Sequence, residues 1–110
     1  MPILTIEKVY CRKRSESSGS HDEIFLRMNG NKIWPEKDDY YSIKEGHEVF
    51  VNHSISYNED ITIELMEHDS DPSPHDLLGS VAFNIDSLGH IVAQANGDGG
   101  SYDIHCRVQA

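Results

Sequence analysis

The sequence predicts an all-β chain folded as a single antiparallel β-sandwich of about seven or eight strands. Three observations carry that reading. Apolar residues arrive in short runs rich in Ile, Val, Leu, Phe and Tyr; clusters of Gly, Pro, Asn, Asp and Ser separate the runs; and sustained helical periodicity is missing from almost the whole chain. At 110 residues there is enough sequence for one hydrophobic core and not for two, so residues 1–110 are expected to form one domain.

The first β-rich run covers residues 3 to 12, and the Ser- and Gly-rich stretch from Lys13 to His21 cannot pack, which makes it a loop. Residues 24 to 29 set Ile24, Leu26 and Met28 against Arg27 and Asn29, the alternation of a half-buried strand that Phe25 interrupts. Asn29-Gly30-Asn31 tolerates positive φ between two apolar runs, a hairpin signal, and Lys32 to Trp34 returns. Pro35 to Gly46 reads as a second loop. Glu48 to Ser56 and Ile61 to Glu67 read as strands joined tightly through Tyr57 to Asp60, the second with Ile61, Ile63 and Leu65 on one face. His68 to Gly79, with two prolines and three aspartates, is an extended loop, and Ser80 to Ile85 turns Val81, Phe83 and Ile85 inward. Leu88 to Asn96 has helical character ended by Gly97-Asp98-Gly99-Gly100, and Ser101 to Val108 is a last strand with Tyr102, Ile104, Cys106 and Val108 inward.

Nineteen Asp and Glu against nine Lys and Arg give a formal net charge of -10, the wrong sign for gripping nucleic acid or an anionic membrane directly. The same excess repels itself in the compact state, so a cation bound by the carboxylates would stabilise the fold. No apolar stretch approaches the roughly 20 residues of a membrane span, and Met1 to Thr5 lacks a basic region followed by an apolar one. The expectation is a soluble protein without a signal peptide, cytoplasmic in preference to secreted. Cys11 and Cys106 match no zinc or redox spacing and are expected to be free thiols. Catalysis finds little support: Gly79-Ser80 lacks a nucleophile elbow, Cys11 has no identifiable activating partner, and Gly97 to Gly100 precedes a strand instead of a phosphate-binding helix.

If each strand crosses the domain once, alternate connections share an end. The loops at 13–23, 35–47 and 68–79 then lie together, opposite Asn29-Gly30, Tyr57–Asp60 and the 86–100 segment. The first end collects Asp22, Glu45, Asp69, Asp71 and Asp76 among other acids, with Asp38, Asp39 and Glu45 read as solvated turn residues. Calcium takes about 6 to 8 oxygens from carboxylates, carbonyls and water in flexible geometry. Asp69 and Asp71 can aim at one ion with the Ser70 carbonyl between them, while Asp76 closes the far side and Asp22 bridges from the first loop.

Ile63-Glu64-Leu65-Met66-Glu67-His68-Asp69-Ser70-Asp71, followed by Asp76-Leu77-Leu78-Gly79-Ser80-Val81, resembles the third calcium loop of C2 domains. Ser20-His21-Asp22-Glu23-Ile24-Phe25-Leu26 sits where such a domain carries its first calcium loop. The resemblance implies an eight-stranded sandwich with calcium between those two loops, docking to phospholipid or to another protein. Asp22, Asp69, Asp71 and Asp76 are the positions that inherit a ligand role. The chain departs from the family in offering one aspartate in the first loop instead of two, in lacking the Asp-Pro-Tyr segment, and in a slightly short loop before Asp76.

Two alternatives stand beside calcium. His21, His68 and His75 flank the same loops and offer nitrogen ligands to zinc, although no His-x-x-x-His or Cys cluster organises them. A metal-independent interaction sandwich, immunoglobulin-like or adaptor-like, would instead use the acidic end to meet a protein partner.

Overall fold

The computed structural model describes residues 1–15, 21–68 and 75–110. These residues form nine strands and no helix: β1 (Ile3–Lys13), β2 (Asp22–Met28), β3 (Asn31–Trp34), β4 (Tyr41–Ile43), β5 (Glu48–Ser56), β6 (Ile61–Glu67), β7 (Asp76–Phe83), β8 (Gly89–Ala95) and β9 (Ser101–Gln109). Two antiparallel sheets result, one ordered β5-β1-β9-β8 and the other β3-β2-β6-β7 with β4 also on β2. The β-sandwich read from the alternation is the observed architecture.

The core lies between the sheets. Leu4, Ile6, Val9, Ile104 and Val108 from one sheet meet Ile24, Leu26, Ile63, Leu65 and Leu78 from the other, all essentially inaccessible to solvent. Each fully buried side chain of this size contributes on the order of 1.5–3 kcal/mol. Phe25, which interrupts the alternation of β2, stands opposite Met66 in register; both are buried yet lie outside the core cluster. Phe25 is covered on the outer face by the His68 and His75 rings. At the β2–β3 turn Asn29 and Gly30 both take positive φ, 49° and 88°, as a two-residue hairpin of this hand requires. Cys11 pairs with Tyr102 and Cys106 with Ile6, well apart along the sheet, and both are free and buried.

Four sequence expectations need correction. The stretch from His68 to Gly79 is not loop to its end, because β7 begins at Asp76 and Asp76, Leu77 and Gly79 already pair with Glu67, Met66 and Leu65. The helical reading of Leu88 to Asn96 fails, because Gly89 to Ala95 pair residue by residue with Val108 to Tyr102. Ala93, Gln94 and Ala95 are good helix formers, but the open edge of β9 and the β-branched Ile91 and Val92 override that weak preference. Ile85 is exposed, not inward, since β7 ends at Phe83 and an Asn84 turn follows, its side chain accepting from the Asp86 N–H at 2.9 Å. The stretch from Pro35 to Gly46 is not all loop: Tyr41–Ile43 pairs with Asp22–Ile24 while β3 pairs with Leu26–Met28. β3 and β4 thus lie end to end along β2 and count as one crossing, so they leave the parity of the later loops unchanged. β8 does change it. One extra crossing splits the 86–100 segment, and residues 96–100 move to the acidic end.

Candidate metal centre

Register builds the site. β6 ends at Glu67 and β7 begins at Asp76, directly opposite it in the antiparallel pair. The β8–β9 turn then brings Asp98 alongside, and ligand oxygens of Glu67, Asp76 and Asp98 all lie within 4.8 Å of one another. Glu67 is buried, whereas Asp76 and Asp98 face solvent. The turn is held by the Gly97 N–H donating to the Leu78 carbonyl at 2.6 Å and by Gly100 N–H donating to Gly97 O at 3.0 Å. Asp98 and Gly99 take φ of 52° and 78°, a left-handed conformation that Asp and Gly adopt at small cost. A side chain at position 97 would not fit, because its Cβ would stand 2.6 Å from the Leu78 carbonyl oxygen and 2.7 Å from that of Leu77.

Asp22 opens β2 at the same end, fully buried. Its Oδ2 accepts from the Ser15 N–H at 2.8 Å and from the Tyr102 hydroxyl, itself wholly buried. Burial first, and the bond to the Asp22 carboxylate second, hold the Tyr102 phenol far above its ordinary range. The neighbouring Cys11 thiol is also pushed up by burial, against an opposing hydrogen bond with Tyr102. Asp22 therefore belongs to a buried Ser15–Asp22–Tyr102–Cys11 network beneath the acidic end. Asp76 is grouped with Glu67 and Asp98. Asp69, Ser70 and Asp71 lie outside the described residues. Of the turn acids, Glu45 accepts the Arg14 N–H at 3.1 Å.

The histidines divide. His68 and His75 stack with ring centroids 4.8 Å apart beside Phe25 and Tyr40, on a groove of about 380 Å³ that Arg27, Lys32 and Asp39 also line. His21 lines a different groove with His47 and Glu48. The three imidazoles proposed for zinc are thus not assembled at one point, because His21 enters β2 on the β4 side while the other two bracket the β6–β7 connection. His68 Nδ1 is buried with no hydrogen-bond partner among the described residues.

Two residues of the acidic triad escape sequence reasoning. Glu67 is read as the last residue of a strand, and Asp98 is placed at the wrong end by the missed β8. The signal for β8 is the Ile91, Ala93, Ala95 alternation between Gly89 and the Gly-rich turn.

Comparison with known proteins yields fold alone. A solved structure described as that of a C2 domain superposes over the whole of both chains with a TM-score of 0.53 at 15% identity. Human GIVD cytosolic phospholipase A2, solved in complex with methyl gamma-linolenyl fluorophosphonate inhibitor and terbium chloride, aligns at a TM-score of 0.49 and 12% identity. That alignment covers 97% of this chain and 16% of the phospholipase chain. No family model matches the sequence, and no curated protein matches it.

Proposed function

We propose that this C2-type sandwich is a non-catalytic calcium-binding module that uses the bound ion to dock its acidic end onto an anionic phospholipid surface. The observation that carries the reading is the meeting of Glu67, Asp76 and Asp98 within 4.8 Å at one end. The donor set is all oxygen, which suits calcium, and oxygens bound to one calcium at 2.3–2.6 Å lie no more than about 5 Å apart. Asp69 and Asp71, on the segment that leaves β6 at this end, are proposed as further ligands, with the Ser70 carbonyl. Asp22, at the start of β2 at the same end, is proposed as a further ligand.

The formal charge of -10 opposes direct contact with anionic lipid. Calcium supplies the missing positive charge and can share oxygens between protein and phosphate, which is why lipid binding is expected to follow the ion. The test is a pair of thermal melts, in chelator and in calcium at about 100 times its dissociation constant, where linkage adds about 2.7 kcal/mol. Coincident melts would reject the site. Asp98→Asn should weaken the calcium shift, and vesicles rich in phosphatidylserine should capture the protein in calcium and release it in chelator. Capture of a protein partner that ignores chelator would favour the metal-independent interaction module instead.

A further inference from the structure

One calcium ion does not by itself make the docking end attractive to anions. Glu67, Asp76 and Asp98 carry three negative charges against the two positive charges of the ion, so a filled triad is still negative. Attraction for an anionic headgroup has to come from basic side chains at the same end.

They stand on the side of β1. Arg12, Lys13 and Arg14 follow one another where β1 ends, and the turn that carries Lys44 is stitched to that strand. The Cys11 N–H donates to the His47 carbonyl at 2.9 Å, and the Gly46 N–H donates to the Cys11 carbonyl at 2.7 Å. Four of the nine Lys and Arg residues thus gather here. Ser15, the next residue, lies against the β8–β9 turn, since a Cβ at Gly100 would stand 3.2 Å from the Ser15 Cβ. Two acids are interspersed: Asp103 holds the Arg12 guanidinium at 2.8 Å, and Glu45 accepts the Arg14 N–H at 3.1 Å. Four positive charges against two negative ones leave a basic surplus. Lys13 and Lys44 are exposed and make no hydrogen bond or ion pair among the described residues.

Beside Lys44 runs a groove of about 160 Å³, lined by His21, Ser42, Lys44 and His47, all of them able to donate hydrogen bonds to an oxyanion. Its one acid, Glu48, is held by Lys8 at 3.1 Å. The larger groove at Phe25 offers an anion less, because Arg27 is bound to Glu64 at 3.2 Å and Lys32 to the Pro35 and Asp38 carbonyls.

We propose that the groove at Lys44 takes the phosphate of a phosphomonoester lipid headgroup, while calcium at the triad bridges a neighbouring headgroup; the assignment rests on the docking reading above. Lys44 is the cation of this subsite, and Lys13 adds charge at the same rim. A phosphomonoester presents three unsubstituted oxygens and a charge of about −1.5 to −2, which suits several convergent donors better than the singly charged phosphodiester of phosphatidylserine.

Two measurements separate this groove from the calcium site. In chelator, glycerol 3-phosphate added to the whole chain should shift the amide resonances of Ser42 to His47 saturably and leave those of Asp76 and Asp98 in place. In calcium, vesicles of phosphatidylcholine and phosphatidylserine should capture the protein more strongly when phosphatidic acid replaces part of the phosphatidylserine. Lys44→Gln should cut that capture about fivefold, the equivalent of about 1 kcal/mol for one basic residue at an anionic surface, and should keep the calcium-induced shift in Tm. Lys37→Gln, which removes the same charge from the exposed β3–β4 connection, should leave capture unchanged. Resonances of the groove that ignore glycerol 3-phosphate, equal losses from the two glutamine variants, or capture indifferent to phosphatidic acid would overturn the proposal. In the last case, with the resonance shifts present, the groove belongs to a soluble phosphate ester. Coincident melts with and without calcium would reject the docking reading instead, and the titration in chelator would still decide the groove.

Discussion

Replacing Tyr102 by Phe removes one oxygen from a fully buried polar contact, and the cost can be worked out from its surroundings. Both Tyr102 and Asp22 are fully buried, so water cannot take over the vacated position on Asp22 Oδ2, which keeps the Ser15 N–H at 2.8 Å. A hydrogen bond to a charged group contributes about 1.5–3 kcal/mol. With an unfolding entropy of about 2.1 cal/mol/K per residue, a chain of 110 residues has roughly 0.23 kcal/mol/K, so Tm should fall by about 6–13 °C. Tyr57→Phe is the reference, because the Tyr57 hydroxyl donates to a neutral acceptor, the Asn84 carbonyl, at 2.8 Å. That loss, near 1 kcal/mol, should lower Tm by about 4 °C. The sign with pH follows from the raised Tyr102 phenol. The folded state keeps a proton that the unfolded chain releases, so the contribution is whole below about pH 10 and is lost as pH rises beyond it, by about 1.4 kcal/mol per pH unit. Thermal unfolding followed by circular dichroism at pH 7 and above pH 10 checks both parts. A Tyr102→Phe melt within about 2 °C of the unmutated protein at pH 7, or an unchanged alkaline slope, would refute the assignment of a charge-assisted bond.

Two further outcomes follow from the packing. Gly97→Ala drives a Cβ into backbone oxygens at 2.6 and 2.7 Å, so it should lower Tm and, by displacing the Asp98 turn from β7, weaken calcium binding in isothermal titration more than a substitution of similar destabilisation at Gly79. Burial pushes the Cys106 thiol up to about 12 and raises Cys11 as well, so neither should react with a disulfide reagent in the native state at pH 8. Stability should also begin to decline above about pH 9, where unfolded thiols ionise and folded ones do not; prompt labelling of either cysteine at pH 8 would contradict this.

The sandwich was legible because burial on one face imposes period-two alternation, and Glu48–Ser56 and Ile61–Glu67 are read with the bounds they have in the structure. Strands that satisfy themselves by pairing with little burial were not legible. β4 buries just Ile43 and leans on β2, and β8 buries just Ala95 and borrows its conformation from β9. Missing β8 had a consequence larger than seven residues, since strand count sets loop parity and the error carried Asp98 to the wrong end. Asp22 shows the complementary limit. Its place at the acidic end follows from the chain order, but the tyrosine that holds it comes from β9, 80 positions away. Nothing in the local sequence announces that pairing.

Within the acidic triad like charges oppose one another, and that yields the sharpest separation of a functional cluster from a solvated one. Unit charges at the 4.8 Å limit of the triad would repel by about 0.9 kcal/mol in bulk water and by about 3.5 kcal/mol at an effective dielectric of 20. Glu67 is buried and faces Asp76 across the ladder, a placement of like charges that sheets otherwise avoid. Asp76→Asn removes one of the two repulsions on Glu67 while keeping shape and an oxygen acceptor. In chelator it should therefore raise Tm, by about 4 °C for each kcal/mol relieved. In excess calcium the order should invert, because the unmutated chain gains the linkage energy that the variant has lost. Melts of both proteins with and without calcium give the four numbers needed. A variant less stable than the unmutated chain in chelator would mean that hydrogen bonding at Asp76 outweighs repulsion, and that the triad is ordinary structure with no cation to answer it.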